Sequence, residues 1–249
     1  MPLYGTYRVE QAIGDVPFMP SFETQPAELA ECHVLQVLYE TRTADVLRLL
    51  PPALHPTIPP LISIVAFSCE SSELGPFTLA QLRVHGRAGA RGRAALASSV
   101  IDSAGAAEEL RTRWGYNCTT GSVQYKPYKD RIDLHVANGA ASFTASLEAP
   151  EPIAPSEVQY TVNVHVADTP IGRRLVQVDP EYTVHHADRG RPRLEEFHPG
   201  DWNMPGLALT IPVSASRVVA DVQLPRLRYL MVPGRPAIDG TEVIADLRV

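Results

Sequence analysis

Alternation of hydrophobic and polar positions with a period of two dominates the chain, and it predicts many short strands separated by turn residues. The segments CHVLQVLY (Cys32–Tyr39), TLAQLRV (78–84), SVQY (122–125), RIDLHV (131–136), SFTASLEA (142–149), LVQV (175–178), RVVADVQL (217–224) and TEVIADLRV (241–249) read this way. LISIVAFSC (Leu61–Cys69) is almost wholly apolar, as a strand covered on both faces is. In YTVNVHVA (Tyr160–Ala167), Thr161, Asn163 and His165 fall on one face, with Val162, Val164 and Val166 on the other. In a sandwich such a polar face meets solvent, whereas in a barrel around a ligand it lines the interior.

Two stretches carry helix signals instead. TADVLRLLPP has Thr43 as a candidate N-cap, Asp45 in the first turn, apolar Val46, Leu49 and Leu50, and a stop at Pro51–Pro52. DSAGAAEELRTRW has Asp102 or Ser103 as N-cap and Arg111 and Arg113 in its last turn, which complements the helix dipole. Proline-rich loops (PPALHPTIPP, APEPIAPSE, HPGDWNMPG, VPGRPAIDG) are too short to be linkers. The expected organisation is one domain over 1–249. Its core covers about residues 30–230, with an N-terminal arm at 1–29 and a C-terminal strand at 241–249.

Composition narrows the function classes. The net charge of −6 argues against a nucleic-acid partner and against an anionic membrane surface. MPLYGTYRVEQAIG has neither a basic nor an apolar leader region, and no run approaches the ~18 apolar residues of a membrane span. Cys32, Cys69 and Cys118, odd in number and widely spaced, read as reduced thiols of a cytoplasmic protein. No metal or cofactor is expected. His185 and His186 are adjacent and point to opposite sides of a strand, and neither an H-x-x-x-H helix nor a C-x-x-C pair occurs. There is no G-x-S-x-G elbow, P-loop or G-x-G-x-x-G. HGRAGARGR (His85–Arg93) reads as a hairpin connection with solvated arginines.

Four segments, in order, carry a family pattern. SASRVVADVQLPRLRYL (Ser214–Leu230) resembles the C-terminal signature of the acetoacetate decarboxylase family. YTVHHADRGRPRLEEF (Tyr182–Phe197) is similar to its G-P-x-R-L turn, keeping Gly190, Pro192, Arg193 and Leu194 with one insertion. YETRTADVLRLLPPALHPTIPPLISIV resembles the family's entry segment, and SSELGPFTLAQLRV its strand turn, with Gly75, Pro76 and Phe77 in place. The resemblance implies a mainly β (α+β) fold: a closed β-barrel or cone around a buried cavity, with a few flanking helices. It also implies a homo-oligomer.

The family's decarboxylases place a lysine just after an "EL" helix, where a neutral amine attacks the keto group and the iminium accepts electrons as CO2 leaves. Here the EEL of Glu108–Leu110 is present, but the expected position falls in RWGYNCTT, which has no lysine. The two lysines of the chain, Lys126 and Lys129, lie in a turn-like KPYK. The family's other polar positions align with Cys32, Val65 and Leu79.

The resemblance therefore implies an enzyme, a lyase or cyclase acting without a Schiff base on a carbonyl-containing small molecule in secondary metabolism. A keto-acid decarboxylase using enol stabilisation and a non-catalytic small-molecule carrier are the competing readings. Tyr116, Asn117 and Cys118 occupy the region of the missing lysine and are the catalytic candidates. Glu109 joins them as an acid–base group if it faces the cavity, or is a plain surface charge if it does not. Gln36 and Gln81, polar among apolar strand neighbours, are substrate-binding or network residues. Arg113 and the loop tryptophan Trp202 complete the substrate-binding set, Trp202 as a lid or as packing on the barrel end.

Overall fold

The computed structural model describes residues 3–9 and 16–247. Its elements run β1 (Ala27–Thr41), α1 (Thr43–Leu49), β2 (His55–Pro56), β3 (Leu61–Cys69), β4 (Ser71–Ser72), β5 (Phe77–Ala88), β6 (Arg91–Ile101), α2 (Ala104–Trp114), β7 (Thr119–Thr120) and β8 (Ser122–Pro127). They continue with β9 (Arg131–Asn138), β10 (Ala141–Pro152), β11 (Val162–Thr169), β12 (Gly172–Val178), β13 (Glu181–Glu195), β14 (Leu209–Leu224), β15 (Tyr229–Met231), α3 (Ala237–Gly240) and β16 (Thr241–Val243). The alternating segments thus form strands, and the fold is mainly β. The C-terminal strand expected at 241–249 stops at Val243 and passes into a 3-10 turn over Ile244–Asp246, while its last two positions lie outside the described residues.

The strands join in one sheet with the order β16-β15-β12-β11-β6-β5-β3-β1-β14-β13-β10-β9-β8. This path is open, which corrects the closed barrel or cone expected from the sequence. The β8 end does return towards β6: β7 pairs parallel with Val100 and Ile101, and one residue later the same segment enters β8 to pair with β9. The chain moves from one partner strand to the other at Gly121, so no continuous ladder closes the ring.

Because successive strand residues point to opposite faces, the central strands separate two cores. Leu35, Val37, Ile64, Ala66, Ala80 and Leu82 belong to one. Val34, Val65, Phe67, Leu79 and Ile101 belong to the other, which α2 covers with Ala106, Ala107, Leu110 and Trp114. The α2 helix starts as its sequence predicts, with Ser103 Oγ accepting from the Ala106 N–H at 3.4 Å. At α1 no side chain caps the helix. Asp45 instead accepts from the Ala208 N–H at 3.1 Å and from Arg48 at 2.6 Å, tying the helix to the loop before β14.

Cys32 and Cys69 form a disulfide, which overturns the reading of three reduced thiols. Their spacing of 37 residues hid a local fact: β1 and β3 are antiparallel, and the pairing of His33 with Ser68 puts the two cysteines opposite each other, with Cα atoms 4.5 Å apart. The reducing compartment inferred from free thiols loses that support. No helix among the described residues is long and apolar enough to cross a membrane.

Candidate active site

On the face covered by α2, one strand after another contributes a polar side chain where an apolar one is the rule. Gln36 on β1 lies in register with Val65 on β3, Gln81 on β5 and Ser99 on β6. Ser63 and Arg83 form the next row. His85, Ala94 and Asn163 form the row after that, since β11 pairs parallel with β6, and His165 follows two residues along β11. All of these polar residues are buried, with Gln81, Ser63 and His165 at 0% exposure and Arg83 at 1%.

Arg83 is the centre of the cluster. Its Nε donates to Gln81 Oε1 at 3.0 Å, its Nη2 donates to the same oxygen, and its guanidinium lies 5.9 Å from the Phe67 ring centroid. Among the described residues no carboxylate pairs with it. Tyr116, Tyr160 and Tyr182 are the groups whose charge it would feel, but burial holds these phenols protonated: Tyr116 is pushed up to about 12, and Tyr160 and Tyr182 are raised as well. An arginine stays charged even when buried, so this cation is uncompensated.

Around it, buried polar atoms stand without a well-formed hydrogen bond: Gln81 Nε2, Ser99 Oγ, Asn163 Oδ1, Tyr160 Oη and both nitrogens of His165, which has only the Gly115 backbone nearby. Asn163 Nδ2 donates to Tyr116 Oη at 3.3 Å, which leaves the phenol proton to point elsewhere. Tyr116 meets His165 edge-on, with centroids 3.9 Å apart. His85 differs, because its Nε2 bonds Ser63 Oγ at 2.9 Å. Burial, then the Arg83 charge, push His85 down to about 4 and His165 down to about 3, the Gly115 backbone opposing slightly at His165.

An apolar wall of Phe67, Leu79 and Leu110 adjoins Tyr116 and encloses only about 10 Å³, room for one water. The buried cavity that the family resemblance implies is, at this point, a packed cluster.

Tyr116 reaches this cluster because α2 ends abruptly. Gly115 takes the left-handed conformation (φ 69°) that closes the helix, and a Cβ there would lie 2.7 Å from Met19 Sδ and 3.0 Å from Ala167 Cβ. Gly115→Ala is therefore expected to cost about 1–3 kcal/mol. Urea denaturation reads this out, and an unchanged midpoint would mean that the turn relaxes freely.

The candidates from the sequence divide. Tyr116, Gln81 and Gln36 share the cluster face, Gln36 donating to the Gln159 carbonyl at 3.4 Å. Asn117 is half-buried and lines a separate pocket of about 50 Å³ with Leu96, the cross-strand partner of Arg83. Cys118 is buried against the Ala107 carbonyl, and burial pushes its thiol up to about 11, which suits packing rather than nucleophilic attack.

Three candidates lie elsewhere. Glu109 is exposed and pairs with Arg113 at 3.1 Å, as residues four apart on a helix surface do. Arg113 also donates to the Gln25 carbonyl and stacks on Trp114, bracing the N-terminal segment. Trp202 packs edge-on against Phe143 at 5.0 Å in the opposite core, so it is packing and not a lid over this cluster. Lys126 and Lys129 are both exposed.

Sequence reasoning missed Arg83 and His85 altogether, while it put Asn163 and His165 on one polar strand face, a lining if the strands enclose a ligand, without naming them as site residues. The signal was present in TLAQLRVHG, where Gln81, Arg83 and His85 repeat at every second position within an apolar strand.

No family model and no curated relative matches the chain. Solved structures do. An acetoacetate decarboxylase aligns with a TM-score of 0.72 at 19% identity, covering 88% of this chain and 96% of its own. The acetoacetate decarboxylase of Legionella pneumophila aligns at 0.71 and 17% identity over 82% and 86%. The enduracididine biosynthesis enzyme MppR, complexed with pyruvate, aligns at 0.65 and 15% identity over 90% and 91%. The chain thus has the fold of the acetoacetate decarboxylases and decarboxylase-like enzymes, as the motifs in its sequence imply.

Proposed function

We propose that the protein is a divergent acetoacetate decarboxylase-like enzyme, a biosynthetic lyase or cyclase that acts without a Schiff base on a small carbonyl compound bearing a carboxylate. One observation carries this reading: Arg83 is a fully buried cation with no carboxylate partner among the described residues, ringed by protonated phenols. A substrate anion supplies the missing charge. Gln81 Nε2 and the Tyr116 phenol are further donors beside it, so a carboxylate and an adjacent carbonyl or enolate oxygen are received together by preorganised groups. Binding requires the wall of Phe67, Leu79 and Leu110 to open. The pyruvate bound to MppR is a ligand of this chemical type.

The same cation weighs against decarboxylation. A guanidinium seated on the carboxylate stabilises the ground state, whereas loss of CO2 carries that charge away in the transition state. Enolisation, aldol or dehydration steps that keep the carboxylate gain from it throughout. Acetoacetate should accordingly release no CO2 above background, and rapid release would favour the decarboxylase reading. Tight carboxylate binding with no turnover of any keto acid would favour a carrier.

Imine chemistry is tested directly. Because both lysines are exposed, borohydride added with pyruvate is expected to leave the intact mass of the protein unchanged. A stable adduct mapping to Lys126 or Lys129 would overturn the Schiff-base-free mechanism.

A further inference from the structure

We infer that His165 is the proton-transfer group of this site, removing and returning a proton on the carbon next to the substrate carbonyl. The inference rests on the reading of Arg83 as a carboxylate site and adds the residue that does the chemistry.

Buried histidines normally satisfy at least one ring nitrogen. His85 does so, through Ser63 Oγ at 2.9 Å. His165, at 0% exposure, makes no well-formed hydrogen bond through either nitrogen, although the Gly115 backbone lies close enough to favour its protonated form, and among the described residues it is the one buried histidine in that state. Such an arrangement costs free energy and confers no packing advantage that an apolar residue would not match. Its geometry is that of a working group. The ring stands edge-on to Tyr116 at 3.9 Å, and Asn163, two residues before it on the same strand face, holds the Tyr116 hydroxyl. One buried face therefore presents an acceptor nitrogen, a phenol donor and a guanidinium.

The step balances without any co-reactant. The C–H bond next to the carbonyl breaks and an N–H bond forms on His165. The C–H electron pair becomes the C=C bond of the enolate, and the carbonyl π pair moves onto oxygen beside the Tyr116 phenol. Return of the proton, or bond formation by the enolate carbon, completes the cycle. Burial and the Arg83 charge both disfavour the protonated imidazole in the ligand-free protein. A carboxylate on Arg83 cancels the second of these, so the base gains strength when substrate is in place.

The test uses the full chain with pyruvate in D2O, following deuteration of the methyl group by NMR and binding by calorimetry. The wild type is expected to bind pyruvate and to exchange its methyl protons. His165→Leu, which removes two polar atoms that lack a well-formed hydrogen bond and fills the same space, and His165→Gln are each expected to bind within threefold of wild type. Exchange in both should fall by at least about 100-fold, the usual contribution of a positioned acid–base group. Exchange that survives in both variants, or wild-type binding without exchange, overturns the role of His165 and leaves the carboxylate site standing. Failure of the wild type to bind pyruvate at millimolar concentration overturns both.

Discussion

Arg83→Met is expected to raise the melting temperature of the ligand-free protein while abolishing its response to keto acids. Moving a guanidinium out of water costs several kcal/mol even after relaxation, and an opposite charge normally offsets that cost. Here the offset is missing among the described residues: Gln81 Oε1 is the one hydrogen-bond partner of the Arg83 side chain there, and the nearby phenols are neutral. Replacing buried ionic groups by apolar residues of similar volume often stabilises by about 1–4 kcal/mol. For a chain of this size that corresponds to roughly 2–16 °C. The same change removes the anion site, and losing a preorganised charge of this kind costs about 10²–10³ in turnover. Calorimetry with and without pyruvate reads both effects. A variant that melts several degrees lower would show that the guanidinium has a compensation not visible in its contacts, and the proposed function would lose its main support.

The second large effect concerns pH. His85 and His165 are held near 4 and near 3 when folded, against 6.5 for the exposed group, with burial as the larger cause in both. The unfolded chain therefore takes up protons below pH 6.5 that the folded chain refuses, so unfolding becomes easier as pH falls. Each histidine contributes about 1.4 kcal/mol per pH unit across its own window, several kcal/mol in all. Their contribution is fully present above pH 6.5 and levels off below about 3, once both are protonated in the folded state. Asp168, lowered chiefly by its hydrogen bond from Arg173, loses its contribution only further down, below its ordinary value of 3.8. Urea titrations at pH 7, 6, 5 and 4.5 should show a slope approaching two protons. The slope should fall sharply in a His85→Asn, His165→Leu double variant, leaving the part due to His33, which burial also lowers, and an unchanged slope there would mean that neither ring is buried neutral.

Much of this molecule was legible in the residues alone. Period-two alternation located the strands, since a pleated backbone places alternate side chains on opposite faces whatever the rest of the chain does. The Ser103 cap and the dipole-matched ends of α2 were equally local. So was the absence of a lysine after α2, a matter of reading one segment against the family pattern. Alternation also put Gln81, Arg83 and His85 on one face, and Asn163 and His165 on another.

What the residues could not decide was which faces meet, and what is missing where they do. Asn163 joins His85 only because β11 pairs parallel with β6, a contact between segments some 70 residues apart, and register over such distances is set by the packing of the whole sheet. Cys32 met Cys69 for the same reason, and Glu109 turned outward because α2 spends its apolar side on the sheet. Above all, the chain has 28 acidic residues, and nothing in their order says whether one stands beside Arg83. A charge left unanswered is a property of distances, and distances exist only once the chain has folded.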